Sequence, residues 1–244
     1  MSETTKNLRR AGEINSLADI DRLEVTKRMM EELRIRNRDD LDSLIDSFVI
    51  SLIREYLKLM DVIAEYPVVK LIADNSVTET HTLITQPGMR YAHAQSLVKS
   101  LLEDRAFKAA SMAEQRLVTE RILDTVRGRM LEEIVLFETM SVAGSGRSVM
   151  KVKFLDGEFD MMVYDRASNR CAICEIKYSK VRVPQQRRHL LDERNCSMTE
   201  RIYGCIAGRY VLYRGEDTVE DGVIYMNVET YLKGLPGSID RLFR

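Results

Sequence analysis

The segment Gly157-Glu-Phe-Asp160 opens one apolar run, and Cys171-Ala-Ile-Cys-Glu175-Ile-Lys177 ends the next with two charged residues. Side chains of an extended chain alternate between faces, so Glu175 and Lys177 are expected on one face while Ile176 points into a core. If the two runs pair as neighbouring strands, Asp160 arrives beside Glu175, and two carboxylates and an ammonium meet at one sheet edge. Two hard oxygen ligands next to an open coordination position suit Mg2+ or Mn2+. A lysine in that place can orient an attacking water and offset charge developing on a phosphate. The competing account makes Asp160 a strand-edge acid and Glu175 with Lys177 an exposed ion pair contributing under about 1 kcal/mol. Against it, the apolar Cys171-Ala-Ile-Cys174 and Ile176 predict a buried strand, where unpartnered acids are costly.

The elements that must hold these residues follow from periodicity. Residues 127–137 have helical spacing, and a loop is expected over Val142–Ser148. Three apolar-rich strands are predicted at Val149–Phe154, Glu158–Asp165 and Cys171–Tyr178. Pro184 suits the first turn of a helix running to about Glu193. Arg209–Tyr213 and Gly222–Asn227 read as two further strands. Helix, three strands, helix, strand is the order of an α/β or α+β core rather than a bundle.

The preceding half is predicted to be a helical module over residues 17–126, after a polar tail at 1–16. A helix is expected from about Ala18 to Ile35. From Leu41 to Met60 the apolar residues follow i, i+3, i+4 spacing, giving one long amphipathic helix that ends before Pro67. Val68–Ala73 and Val77–Thr85 form a candidate hairpin around Asp74-Asn75-Ser76. Helical spacing resumes over Tyr91–Leu102 and Glu114–Val126. Helices with a small hairpin resemble a winged-helix arrangement. The apolar stripe of the long helix also suits self-association into a homo-oligomer.

Composition narrows the function classes. The chain has 244 residues, 45% of them apolar, and a net charge of −1. That charge argues against coating nucleic acid through bulk attraction, so any such contact must be local. Lys177, Lys180, Arg182, Arg187, Arg188 and Arg194 cluster beside the candidate site, making Lys180, Arg182, Arg187 and Arg188 candidate contacts to DNA or RNA. A solvated helix face is the plainer account of the same run. No apolar stretch reaches the roughly 18 residues of a membrane span. The four cysteines lack a dense framework, which suits a reducing, cytoplasmic setting. Cys171 and Cys174 have the spacing of a metal knuckle, but a straight strand puts them on opposite faces, so buried small side chains are expected there. Gly144-Ser-Gly-Arg-Ser148 lacks the lysine and the spacing of a phosphate loop.

With these residues and this element order, the chain resembles the PD-(D/E)xK phosphodiesterase superfamily. The resemblance implies a restriction-endonuclease-like α-βββ-α-β core over residues 127–244. Asp160 corresponds to the family's acid on the second strand and Glu175-Ile176-Lys177 to its (D/E)xK. Gly128-Arg-Met-Leu-Glu132 looks like the Gly-x-x-x-Glu of the first helix, and Gln186 matches a glutamine that helps hold the site in some members. Residue 159 is Phe where the motif has Pro. The implied site has Asp160, Glu175, the Ile176 carbonyl and Glu132 around Mg2+ or Mn2+, with Lys177 positioning water and Gln186 orienting the group.

A further resemblance covers more of the chain. Gln86-Pro-Gly-Met-Arg-Tyr91, the Gly128 segment, Gly157-Glu-Phe-Asp-Met161, Glu175-Ile-Lys-Tyr-Ser179, Pro184-Gln-Gln-Arg-Arg-His-Leu190 and Val211-Leu-Tyr-Arg-Gly215 look like the C-terminal half of certain bacterial AAA+-type ATPases. Those proteins carry an N-terminal P-loop ATPase, which this chain lacks. The resemblance leaves two readings: a metal-dependent nuclease acting on DNA or RNA, or a module without turnover that serves an AAA+ ATPase partner in trans.

Overall fold

The computed structural model describes residues 50–72 and 75–243. Residues 50–59 are helical and belong to a separate unit ending at Leu59; everything below concerns the unit Met60–Arg244. The expected tail, the helix near 18–35 and the start of the long helix lie outside the described residues. The helix ends close to Met60 and before Pro67, as expected. Asp61 has a φ of 52°, a left-handed conformation that ends the helix and that aspartate tolerates better than most residues. Strand β1 (Ile63–Ile72) follows at once, so Pro67 lies within a strand.

β2 (Asn75–Ile84) returns antiparallel to β1, pairing Ile63 with Ile84 and Ile72 with Asn75. The expected hairpin is therefore present and longer than predicted. It is part of the main sheet, because Val68–Lys70 pair in parallel with Lys151–Lys153 of β3 (Arg147–Phe154). Between them come α1 (Pro87–Glu103), the short α2 (Arg105–Lys108) and α3 (Met112–Val142). The two helices predicted at 114–126 and 127–137 are one continuous α3, and the boundary expected at 126/127 falls inside it. Ser111 starts α3 with a capping box: its Oγ accepts from the Glu114 N–H at 3.3 Å, and Glu114 Oε2 accepts from the Ser111 N–H at 2.9 Å. Gly128 does not interrupt the helix, because α3 is held on both sides of it: Arg127 donates to the Tyr91 hydroxyl on α1 at 2.8 Å, and Arg90 of α1 pairs with Glu133 at 2.7 Å.

β3, β4 (Gly157–Asp165) and β5 (Arg170–Lys177) form an antiparallel meander, close to the predicted strands. α4 (Glu193–Tyr203) then crosses over to β6 (Cys205–Tyr213), which lies parallel to β5. β7 (Thr218–Glu220) and β8 (Val223–Asn227) complete a mixed sheet in the order β2-β1-β3-β4-β5-β6-β8-β7 among the described residues. α5 (Val228–Lys233) and α6 (Gly237–Arg241) close the chain. The fold class is mixed α+β.

The helix expected at Pro184–Glu193 is instead two 3-10 turns, Pro184–Arg187 and His189–Leu191, and α4 begins only at Glu193. Asp192 is extended and its carboxylate accepts from the Asn195 N–H at 2.9 Å, an N-cap that fixes the helix start there. α4 ends at Gly204, whose φ of 70° and close approach to Asn169 leave no room for a side chain.

Apolar residues pack on both faces of the sheet. One cluster joins Val69, Phe159, Ile173, Val211 and Tyr225 to Leu190, Cys196 and Met198 beside α4. The other joins Val149, Met161, Ala172 and Leu212 to Val135 and Leu136 of α3 and to Tyr231 and Ile239 of α5 and α6. Helices therefore cover both faces in a three-layer arrangement. β5 is buried along nearly its whole length, with Cys171 in one cluster and Cys174 in the other, as alternation requires. Among the described residues no helix is long and apolar enough to cross a membrane.

Candidate functional site

A fault in strand pairing sets the position of Asp160. Met150 pairs with Met162 and Val152 with Phe159, so one residue of β3, Lys151, opposes two of β4, Asp160 and Met161. Such a bulge breaks face alternation and re-aims side chains. Its effect is visible in the packing, where Phe159 and Met162 share one cluster although three residues apart on a strand. On the other side of β4, Met161 pairs with Cys174, which brings Asp160 next to Glu175.

Asp160 and Glu175 are only 5% and 3% exposed. Asp160 Oδ2 accepts from the Ile176 N–H at 2.8 Å and from Lys177 Nζ at 2.9 Å. The same ammonium lies 2.6 Å from Glu175 Oε2. Glu175 Oε1 is buried and has no hydrogen-bond partner among the described residues. Ile176 points into the core behind, 2% exposed. The juxtaposition expected from alternation and strand pairing is thus the one observed, but on the two central strands of the sheet instead of its edge, with both acids far more deeply buried than a surface ion pair.

A second lysine completes the group. Lys151 Nζ is 2.8 Å from Glu158 Oε1, 3.7 Å from Glu132 Oε2 and 3.9 Å from Asp160 Oδ1. Glu132 comes from α3, so the cluster spans that helix and three strands. Asp160, Glu132, Lys151 and Glu158 line a cavity of about 390 Å3, which Tyr66, Arg90 and Arg129 also border.

Burial dominates the electrostatics. It pushes the Glu175 carboxyl up to about 9, with the neighbouring Asp160 adding to the rise and Lys177 opposing it. Burial and Asp160 likewise raise Glu132 to about 7. For Lys177, burial alone would favour the neutral amine, but Asp160 and Glu175 outweigh it and raise its pKa. Lys151 is raised in the same way, by its Glu158 hydrogen bond and by Asp160 acting against burial. Both lysines are therefore cationic at neutral pH, and Glu175 is a carboxyl that keeps a proton until something replaces it.

The donor set fits a hard divalent cation. Two carboxylates lie side by side, one oxygen is unpartnered, and the nearby thiol of Cys174 faces the opposite core with its pKa raised by burial. No group of three or more His, Cys, Asp and Glu side chains among the described residues is arranged to hold a metal by itself. A cation here would need Asp160 and Glu175 together with main-chain oxygen and water.

Gln186 is buried, and its side-chain hydrogen bonds go to main chain and not to this group. Its Nε2 donates to the Val181 carbonyl at 2.9 Å and its Oε1 accepts from the Val183 N–H at 3.2 Å, so its amide braces the loop after β5. Lys180, Arg182 and Arg188 are exposed. Arg187 is committed elsewhere, paired with Glu220 at 2.6 Å and Asp221 at 2.7 Å at the β7–β8 turn. Sequence reasoning missed Lys151, Glu158 and the Arg90–Glu133 pair. Lys151 and Lys153, alternating with apolar residues in Val149–Phe154, were the available signal for the first; Arg90 and Glu133 meet across 43 residues without any local one. Comparison of the chain with protein-family models, curated proteins and solved structures gives no match.

Proposed function

We propose that this chain is a metal-dependent phosphodiesterase of the PD-(D/E)xK kind, acting on DNA or RNA. The observation that carries the reading is the pair of buried carboxylates, Asp160 and Glu175, sharing one ammonium while Glu175 Oε1 has no partner. Burying two acids in contact is costly unless a cation or a proton compensates them, and although Lys177 and Lys151 flank Asp160, neither serves the buried Glu175 Oε1. The succession α3, β3, β4, β5, α4, β6 supports the same reading, since it is the helix, meander, helix, strand order of that superfamily.

Asp160, Glu175 and the Ile176 carbonyl would hold Mg2+ or Mn2+, which supplies charge to stabilise a phosphate under attack and makes water a better nucleophile at neutral pH. Lys177 is 31% exposed, so its ammonium can turn from the acids towards a water or a phosphate oxygen at the open side. There it orients the nucleophile and offsets developing negative charge. The Ile176 N–H fixes Asp160 Oδ2, so the carboxylate keeps its orientation when Lys177 moves. Glu132, with its raised pKa, faces the cavity that Asp160 also lines and can accept or hold a proton near neutral pH. Exposed Lys180, Arg182 and Arg188 extend positive charge along the loop from β5 and would contact the nucleic acid backbone.

The test is cleavage of linear, branched and single-stranded DNA and RNA in Mg2+ or Mn2+ by the wild type and by Lys177→Ala. Cleavage by the wild type alone supports the proposal. No cleavage by a folded wild type on any substrate would favour a module without turnover, working with an ATPase in trans.

A further inference from the structure

We infer that Lys151 is a resident cation that limits the site to one divalent ion, its ammonium standing where a second ion would otherwise bind. The inference rests on the proposed cation site at Asp160 and Glu175. The β4 bulge presents Asp160 between two lysines, one at each carboxylate oxygen: Lys177 at Oδ2 and Lys151 at Oδ1. On the Lys151 side, three acids from two elements surround one nitrogen, at 2.8 Å for Glu158, 3.7 Å for Glu132 and 3.9 Å for Asp160. Three carboxylates lining one cavity repel one another, and hard oxygen ligands in that number are what a second Mg2+ or Mn2+ would use. Here the positive charge is supplied by the chain itself.

The two lysines differ in how completely they satisfy their acids. The Lys177 side chain is 31% exposed and leaves Glu175 Oε1 buried without a partner, so an incoming ion gains an oxygen that the lysine does not serve. Lys151 is 14% exposed, and no oxygen of Glu132, Glu158 or Asp160 is both buried and unpartnered among the described residues. Lys153 adds a further cation 3.9 Å from Glu158 Oε2. An ion entering on the Lys177 side meets an unfilled position, whereas one entering on the Lys151 side must displace a half-buried ammonium from three partners.

The experiment counts Mn2+ bound per chain at equilibrium, from the free-ion electron paramagnetic resonance signal, for the wild type, Lys151→Arg and Lys151→Met. One ion is expected for the wild type and for Lys151→Arg, and two for Lys151→Met, with Mn2+ raising the melting temperature more in Lys151→Met than in the wild type. Should Lys151→Met fail to fold, Lys151→Gln removes the same charge with a polar side chain and is counted instead. Two ions in the wild type, or one in a folded variant lacking the charge, would overturn the inference while leaving the cation site standing. No ion in the wild type would overturn the cation site itself, and this inference with it.

Discussion

Replacing Lys177 by Met keeps most of the aliphatic stem and removes only the ammonium that bridges Asp160 and Glu175. Two charge-assisted contacts are lost, at 2.9 and 2.6 Å. Breaking a fully buried ion pair by deleting one partner costs about 3–5 kcal/mol. Three features reduce that figure here. The Lys177 side chain is 31% exposed, so water takes over part of the compensation. Glu175 holds a proton at neutral pH, and Asp160 keeps the Ile176 N–H at 2.8 Å. A net loss of about 2 kcal/mol remains, which for a domain of this size lowers the melting temperature by about 4–8 °C. Calorimetry at pH 7 in a chelator measures it. Mn2+ should then stabilise Lys177→Met more than the wild type, because the ion no longer competes with an ammonium for the same oxygens. A variant that melts at or above the wild-type temperature in chelator would refute the reasoning, since the lysine would not be what makes two buried acids tolerable.

Other consequences follow from the same contacts. In chelator, stability should fall as the pH rises from about 4.5 towards 9, because Glu175 at about 9 and Glu132 at about 7 bind protons in the folded state that the unfolded chain has released; melting temperatures across that range check this, and Glu175→Gln should flatten the decline above pH 7. Gly204→Ala should be destabilised by at least about 2 kcal/mol in urea unfolding, since a Cβ there would lie 1.9 Å from the Asn169 carbonyl oxygen on a backbone with φ 70°. Tyr231→Phe should lose about 1 kcal/mol in the same assay, as it leaves the buried Thr139 hydroxyl without its 3.0 Å partner between α3 and α5.

The meander was legible in the sequence because its strands are apolar runs broken by turn residues, and alternation alone placed Glu175, Ile176 and Lys177 on their observed faces. Asp160 was predicted beside Glu175 from the pairing of β4 with β5, which is regular there; the bulge lies in the ladder between β3 and β4 and was not foreseen. Lys151 was not foreseen, because its role depends on one residue of β3 facing two of β4, a register that no local pattern specifies. Pro184 does open a helical turn, but a 3-10 one that ends at Arg187 instead of running to Glu193: the Gln186 amide is turned back on its own main chain, and the capping carboxylate of the α-helix comes later, at Asp192. A new helix was expected to begin at 127, but α3 runs on through Gly128, whose low helix propensity is overridden by the ties of Arg127 to Tyr91 and of Glu133 to Arg90. The long helix ends before Pro67 as expected, at a left-handed aspartate, but the strand expected only after the proline begins before it, at Ile63.

The most direct test of the account is isothermal titration of the full chain with Mn2+, comparing the wild type with Asp160→Asn and Glu175→Gln. Saturable binding by the wild type that both substitutions weaken at least about tenfold is the predicted result, since each removes a charged ligand from the same ion. Absence of binding by the folded wild type, or equal binding by all three proteins, would contradict the claim that the buried carboxylate pair is built for a divalent cation.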